Sequence, residues 1–84
     1  MVEYKVGDPL LVRWLDAHNS DHGWQQIKDI EFTKAEVQTL GHFIATAEDQ
    51  LWLAGDVGVN DDMVNTVVAI PLGWITEIRM IENG

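Results

Sequence analysis

Apolar segments of strand length alternate with polar, glycine-bearing turns along the chain of 84 residues. The first segment follows a turn at residues 7–9 and covers residues 10–17. Within it, Val12 and Trp14 share one face and Arg13 lies on the other. That period of two residues predicts a first β-strand.

The middle of the chain predicts a hairpin. Residues 37–47 and residues 50–54 are both apolar runs, and Glu48 and Asp49 form the turn between them. Gly41 lies inside the first run, where a glycine marks a sharp bend or a close approach of two backbones. We therefore predict a bent second strand followed by a third.

Two more apolar segments follow an acidic, glycine-bearing loop at residues 55–65. Residues 66–70 are rich in β-branched side chains and too apolar for one face to lie in water. The sequence Pro-Leu-Gly at residues 71–73 predicts a tight corner, and residues 74–81 form the last strand. Apolar positions break strict alternation in that strand, which predicts a bulge or a strong twist.

The connection between the first two strands is long and polar. Residues 18–23 read as a loop that Trp24 closes, and residues 25–30 could form a short turn. The segment 33–36 has the spacing of a helix capping box, with Thr33 as the N-cap residue. A strand beginning near Val37 is the alternative for this segment.

About five short strands with sharp corners, in a chain of single-domain length, predict a mainly β domain spanning residues 1–84. We predict a small barrel made from a strongly bent antiparallel sheet, with a loop or short helix inserted between strands 1 and 2. The alternative is an open antiparallel sheet with one short helix. Closure is favoured because the bend glycine and the short Pro-Leu-Gly corner both suit a barrel.

The charge is strongly acidic, with 14 acidic residues against 5 basic ones and a formal net charge of -9. Lys and Arg contacts to phosphate dominate nucleic-acid affinity, so bulk electrostatics repels DNA and RNA. Nucleic-acid binding is therefore expected only in a local site that an assembly builds from one residue of each subunit.

The chain contains no cysteine, which excludes a disulfide framework, a thiolate zinc site and a cysteine nucleophile. A domain this small is short of buried surface, and self-association is a common remedy. No apolar run approaches the roughly 18 residues that span a bilayer, and residues 1–5 lack the pattern of a signal peptide. We expect a cytoplasmic protein with no membrane partner and no cofactor.

Residues 41–81 resemble the Sm-like proteins, the family of the bacterial Hfq type. In that family a bent, glycine-bearing strand is followed by an acidic turn and an apolar strand, then a variable loop. Strand four, a 3₁₀-like corner and strand five come next. The matching segments here are residues 41–44, 48–53, 67–70, 71–73 and 75–78.

The first half of the chain resembles small uncharacterised proteins of tailed phages. These share a first strand ending in Trp-x-Asp and a serine-containing loop that closes on Gly-Trp, as in residues 14–24. A Leu-Gly strand and an Ile-Pro corner also match, at residues 40–41 and 70–71. This resemblance implies a phage origin and a host-cell location, and brings no known activity.

The Sm-like resemblance implies a homo-oligomeric ring of roughly five to seven copies. Strand four of one copy pairs with strand five of the next in that family, and a monomer whose terminal strands pair internally is the alternative. The expected subunit interface consists of Val67, Val68, Ala69, Ile70, Ile75, Ile78 and Met80.

The same resemblance implies RNA or a nucleotide as a ligand. Aromatic faces stack on bases at little cost in charge, so exposed tryptophans are candidates for the contact. The expected ligand-binding residues are His18, Trp24, Pro71, Leu72 and Gly73.

The loop before Trp24 also holds potential metal ligands and a Ser-His-Asp set. His18 and His22 are four residues apart, which suits a metal only on a helix, and the residues between them oppose a helix. Ser20 lacks the glycine elbow of a nucleophilic serine. We therefore predict no catalytic residue, no metal ligand and no enzyme activity.

Two further functions remain open beside RNA binding. An acidic ring could block a host nucleic-acid-binding protein by presenting carboxylates where phosphates would lie, and the net charge favours this interaction module. A ring could also capture small nucleotide signals between its subunits.

Overall fold

The computed structural model describes residues 3–18, 24, 26–29 and 33–82. Five β-strands and two 3₁₀-helices follow one another along this part of the chain, and it contains no α-helix. Their order is β1 (Pro9–His18), η1 (Ile27–Asp29), β2 (Thr33–Ala47), β3 (Gln50–Val57), β4 (Val64–Pro71), η2 (Leu72–Trp74) and β5 (Ile75–Met80).

All five strands belong to one antiparallel sheet in the order β4-β3-β2-β1-β5. The mainly β class is therefore confirmed. The predicted closure into a barrel is wrong, because β4 pairs with β3 and β5 pairs with β1, but β4 and β5 do not pair with each other. The alternative, an open antiparallel sheet with one short helix, is closer to the arrangement observed: the sheet is open, with β4 and β5 as its two edges, and the described residues contain no α-helix.

Two irregularities interrupt the ladders. The β2–β3 register shifts between Phe43 and Ala45, so that Ile44 is an extra residue on β2. The β1–β5 register shifts where Trp14 pairs with Ile75, and Thr76 is the extra residue. An extra residue on one strand bends it and increases its twist, and the second shift confirms the irregularity predicted for the last strand.

Gly41 on β2 allows β3 to approach β2 closely. A Cβ atom at this position would lie 3.0 Å from Cβ of Leu53 and 3.3 Å from the carbonyl oxygen of Ala54. A side chain would push β3 away from β2, so the close approach, one of the two alternatives predicted from the glycine, is confirmed.

One face of the sheet carries a small core. Alternate residues of β1 and β3 point to it, as the period of a strand requires. Tyr4, Trp14, Phe43, Ile75 and Ile78 are partly buried against this core. The fully buried set is Leu10, Val12, Leu51, Leu53, Ala54 and Ile70.

The other departures from the predictions concern strand limits. The segment 33–36 is the start of β2 and not a capped helix, because it pairs with β1 as far as the pair formed by His18 and Thr33. The acidic loop is shorter than predicted, because β3 continues to Val57 and β4 already begins at Val64. It is closed by bonds from Gly58 N to Met63 O (2.7 Å) and from Met63 N to Asp61 Oδ1 (3.2 Å).

Candidate functional site

The two open edges of the sheet lie on β4 and β5. Within the described residues, β4 pairs only with β3 and β5 pairs only with β1. Each strand therefore carries a row of backbone N–H and C=O groups with no partner strand on its outer side. Such edges are templates for pairing with another chain.

The outward groups of β4 follow from the hydrogen bond between Leu72 N and Asp49 O, which is 2.9 Å long. Backbone groups of successive residues point to alternate sides of an antiparallel strand. Val68 and Ile70, which lie opposite Leu53 and Leu51, therefore face β3. The residues between and before them, Val67 and Ala69, direct their N–H and C=O groups to the open edge.

The same argument applies to β5. Ile81 N donates to Pro9 O at 2.9 Å, so Ile81, and with it Arg79 and Glu77, faces β1. Ile78 and Met80 direct their backbone groups outward. Each edge thus offers a pair of outward apolar residues two positions apart, Val67 and Ala69 on β4 and Ile78 and Met80 on β5.

Both edges carry large apolar side chains that are incompletely buried. On β4, Val67 is 47% exposed and Val68 is 41% exposed, whereas Ile70 is buried. On β5, Met80 is 42% exposed and Ile78 is half-buried. Large apolar side chains that share an exposed edge mark an interaction surface.

The corner between the two edges is η2. Its residues carry no charge, and Pro71, at the end of β4, is half-buried while Leu72 and Gly73 are exposed. Trp74 stacks on Trp14 of β1, with ring centroids 6.1 Å apart and an angle of 16° between the rings. The expected ligand-binding corner is therefore accessible and is anchored to β1 by an aromatic pair.

The other two expected ligand-binding residues lie elsewhere. Trp24 is fully exposed in the segment between β1 and β2. His18 is the last residue of β1, and its side chain lies outside the described part of the structure. Four positions, about 13 Å of extended strand, separate it from the Trp14 that stacks on the corner. The structure does not place these two residues beside residues 71–73.

A groove of about 430 Å³ on the face opposite the core was not anticipated from the sequence. Three lining residues form a row of neighbours across β2, β1 and β5, because Arg13 pairs with Gln38 on β2 and with Glu77 on β5. Arg13 Nε donates to Gln38 Oε1 at 3.2 Å, and Glu77 accepts from Arg79 at 2.9 Å. Only the pairing order of the strands brings these side chains together, so no local sequence signal could reveal them.

The charged groups of this groove give a phosphate group no excess of positive charge. Glu77 lies 3.8 Å from Arg13 and 2.9 Å from Arg79, so one carboxylate is shared by two of the five basic residues. Glu36 lines the groove as well, so two carboxylates accompany the single guanidinium of Arg13 in its lining.

The described residues do not bring a set of metal-binding side chains together. No group of three or more His, Asp or Glu side chains in this part of the chain could hold a metal ion. The imidazole Nδ1 of His42 lies 3.0 Å from Gly7 O, and this contact connects the segment before β1 to β2. Ser20 and His22, the candidate hydrolase and metal residues of the loop before Trp24, lie outside the described residues.

Searches of protein-family models, curated proteins and solved structures found no match to this chain. Among the helices of the described residues, none has the length and apolar composition that crossing a membrane requires. The resemblances to Sm-like proteins and to phage proteins therefore stay predictions.

Proposed function

We propose that the protein is a subunit of a closed homo-oligomeric ring of the Sm-like kind, in which β4 of one copy pairs with β5 of the next. The observation that carries this proposal is the presence of two different apolar, unpaired edges at opposite ends of one sheet. Pairing one edge with the other, head to tail around a closed ring, leaves no edge exposed.

The outward backbone groups specify the register of the pairing. Antiparallel strands exchange hydrogen bonds between residues whose groups face each other. Val67 and Ala69 of one copy therefore meet Met80 and Ile78 of the next, in that order, and both outward residues of each edge are satisfied. A shift by two positions would oppose Ile78 to Pro71, which has no N–H, or Met80 to Asn65, beyond the left-handed Thr66.

This register also groups the side chains favourably. Paired residues lie on the same face of a sheet, so Val67, Ala69, Ile78 and Met80 form one apolar cluster across the junction. On the other face, Val68 lies opposite Arg79, whose aliphatic stem can cover the valine while its head keeps the ion pair with Glu77.

The short η2 between β4 and β5 supports the Sm-like assignment, because that family places a 3₁₀-like corner at this point. Fold resemblance carries no function by itself. RNA binding, which the family would imply, is opposed by the net charge of -9 and by the pairing of Arg13 and Arg79 with Glu77.

The same charges favour a second function for the ring, as an acidic interaction module. Carboxylates distributed over a symmetric particle would attract a basic partner and could occupy the nucleic-acid site of a host protein. Filter binding of poly-uridine and poly-adenosine at two salt concentrations distinguishes this module from an RNA-binding ring, because salt-sensitive retention of either polymer would contradict the module.

Two measurements test the ring itself. Light scattering should give about five to seven subunit masses, and a folded monomer at high concentration would refute the proposal. The second is the double variant V68C/R79C, which places two cysteines opposite each other where no hydrogen bonds are exchanged. Cα separations there, about 4.5 Å, suit a disulfide.

The expected product of V68C/R79C under oxidation is a ladder of covalent oligomers that stops at the ring size. The chain has no native cysteine to confuse the result. The single variants V68C and R79C are the controls and should stay uncrosslinked. Dimers formed by V68C alone would indicate that β4 pairs with β4 of a second copy, which contradicts head-to-tail assembly.

A further inference from the structure

Trp74 lies at the start of the open edge with one face of its indole free. Its other face stacks on Trp14, and 43% of the residue is exposed. Leu72, two positions earlier on the same 3₁₀-helix, is 39% exposed. A tryptophan held by an intrachain stack has already lost its rotamer freedom, so covering its free face costs little further entropy.

The register of the proposed ring brings these two residues together from different copies. If Ala69 meets Ile78, then η2 of one copy lies beside the start of β5 of the next, so that Leu72 of one copy and Trp74 of the next are at the same end of the junction. No charged side chain lies between Ile70 and Ile75 on either side of this junction. The contact would therefore bury apolar surface without desolvating a charge.

We infer that Leu72 of one subunit packs on the free face of Trp74 of the next subunit, so that η2 is an anchor of the ring interface. This inference rests on the proposed edge pairing and assigns the corner a second copy of this chain as its occupant. Interface energy is concentrated in a few well-packed aromatic anchors, and the Trp14–Trp74 pair is the only stacked aromatic pair among the described residues.

The inference gives the corner a different role from the one that the resemblance implies. A corner covered by the neighbouring copy leaves the indole of Trp74 no free face on which a base could stack. Base stacking and subunit packing are therefore mutually exclusive uses of the same indole face.

The test uses the full chain and the variant Leu72→Ala, which leaves the Trp14–Trp74 stack intact. We expect the concentration at which half of the ring dissociates to rise about tenfold or more. Trp74→Phe is the second variant. If the two side chains touch, the double variant Leu72→Ala/Trp74→Phe should lose less free energy of ring assembly than the sum of the losses in the two single variants. Val6→Ala, which shortens an exposed apolar side chain in a turn far from the corner in sequence, is the control and should not change the midpoint.

Fluorescence gives an independent readout. Acrylamide quenching is measured on the wild-type protein and on Trp74→Phe, and the difference between the two isolates the signal of Trp74. That signal should be shielded from acrylamide in the ring and become accessible after dilution. A ring that persists unchanged in Leu72→Ala, or in which poly-uridine quenches Trp74, would overturn the inference and leave the ring standing. Absence of any oligomer would remove the ring as well.

Discussion

The indole Nε1 of Trp14 donates a 2.9 Å hydrogen bond to Oγ1 of Thr39 on the neighbouring strand. The bond fixes the orientation of a side chain that also stacks on Trp74, so β1, β2 and η2 are connected through one residue. A partly buried indole N–H needs such an acceptor.

Removing the acceptor should destabilise the fold. Thr39→Val keeps the shape and the strand preference of the side chain but leaves the N–H unpaired, and we expect the free energy of unfolding to fall by about 1 kcal/mol. Thr39→Ser retains the hydroxyl and is the matched control. Urea unfolding measures the free energy of unfolding of both variants. Faster exchange of the Trp14 indole proton in Thr39→Val alone would confirm the cause, and equal exchange in both variants would contradict it.

The sequence predicted the strands better than their arrangement. Local signals sufficed for the first strand, the close approach at Gly41, the turn at Glu48 and Asp49 and the irregularity in β5. The pairing of β1 with β5 could not be predicted in the same way, because it joins residues such as Arg13 and Thr76 that are 63 positions apart. Whether the sheet closes depends in the same way on a long-range pairing, that of the edge strands β4 and β5, which is not formed.

The candidate surface was likewise predictable in its residues but not in its geometry. The apolar character of residues 67–70 and 75–80 is visible in the sequence, and so is the uncharged corner. Which backbone groups face outward depends on the register, which only the hydrogen bonds of Leu72 and Ile81 reveal. The groove around Arg13 carries no local signal, since its walls come from three strands.

The small core makes single truncations costly. Leu53 is fully buried and lies against Gly41 at the bend, so Leu53→Ala should lower the free energy of unfolding by about 2–5 kcal/mol. Leu40→Ala removes the same atoms from a side chain that is 64% exposed, and should cost about 1 kcal/mol or less. Urea midpoints of the two variants compare them. Equal midpoints would mean that the assignment of the core face is wrong.

Gly41 should not tolerate even a methyl group. An added Cβ would lie 3.0 Å from Cβ of Leu53, and we expect Gly41→Ala to cost about 1–3 kcal/mol through displacement of β3. Gly73→Ala adds the same atom where no heavy atom of the subunit lies within 4 Å, and should stay within about 0.5 kcal/mol of the parent. The comparison requires the two variants to have the same mass by light scattering. An unaffected Gly41→Ala would contradict the close approach at the bend.

The turn between β2 and β3 offers a gain of stability. Glu48 and Asp49 both adopt left-handed backbone conformations, with φ of 54° and 59°. Glycine adopts such conformations freely, asparagine and aspartate tolerate them, and most other residues, glutamate among them, are strained in them. A two-residue hairpin turn of this kind prefers Asn-Gly. The variant Glu48→Asn/Asp49→Gly should therefore raise the free energy of unfolding by about 1 kcal/mol, measured by urea unfolding.

Because this double variant also removes two negative charges from an acidic chain, relief of repulsion must be separated from relief of backbone strain. Glu36→Gln/Asp56→Asn removes the same charge from exposed strand positions with ordinary backbone conformations, and is the control. The carbonyl of Asp49 also accepts from Leu72 N, so a relaxed turn should protect the Leu72 amide from hydrogen exchange. An equal gain in both variants would attribute the effect to charge, and it would leave the strain at Glu48 and Asp49 without a measurable consequence.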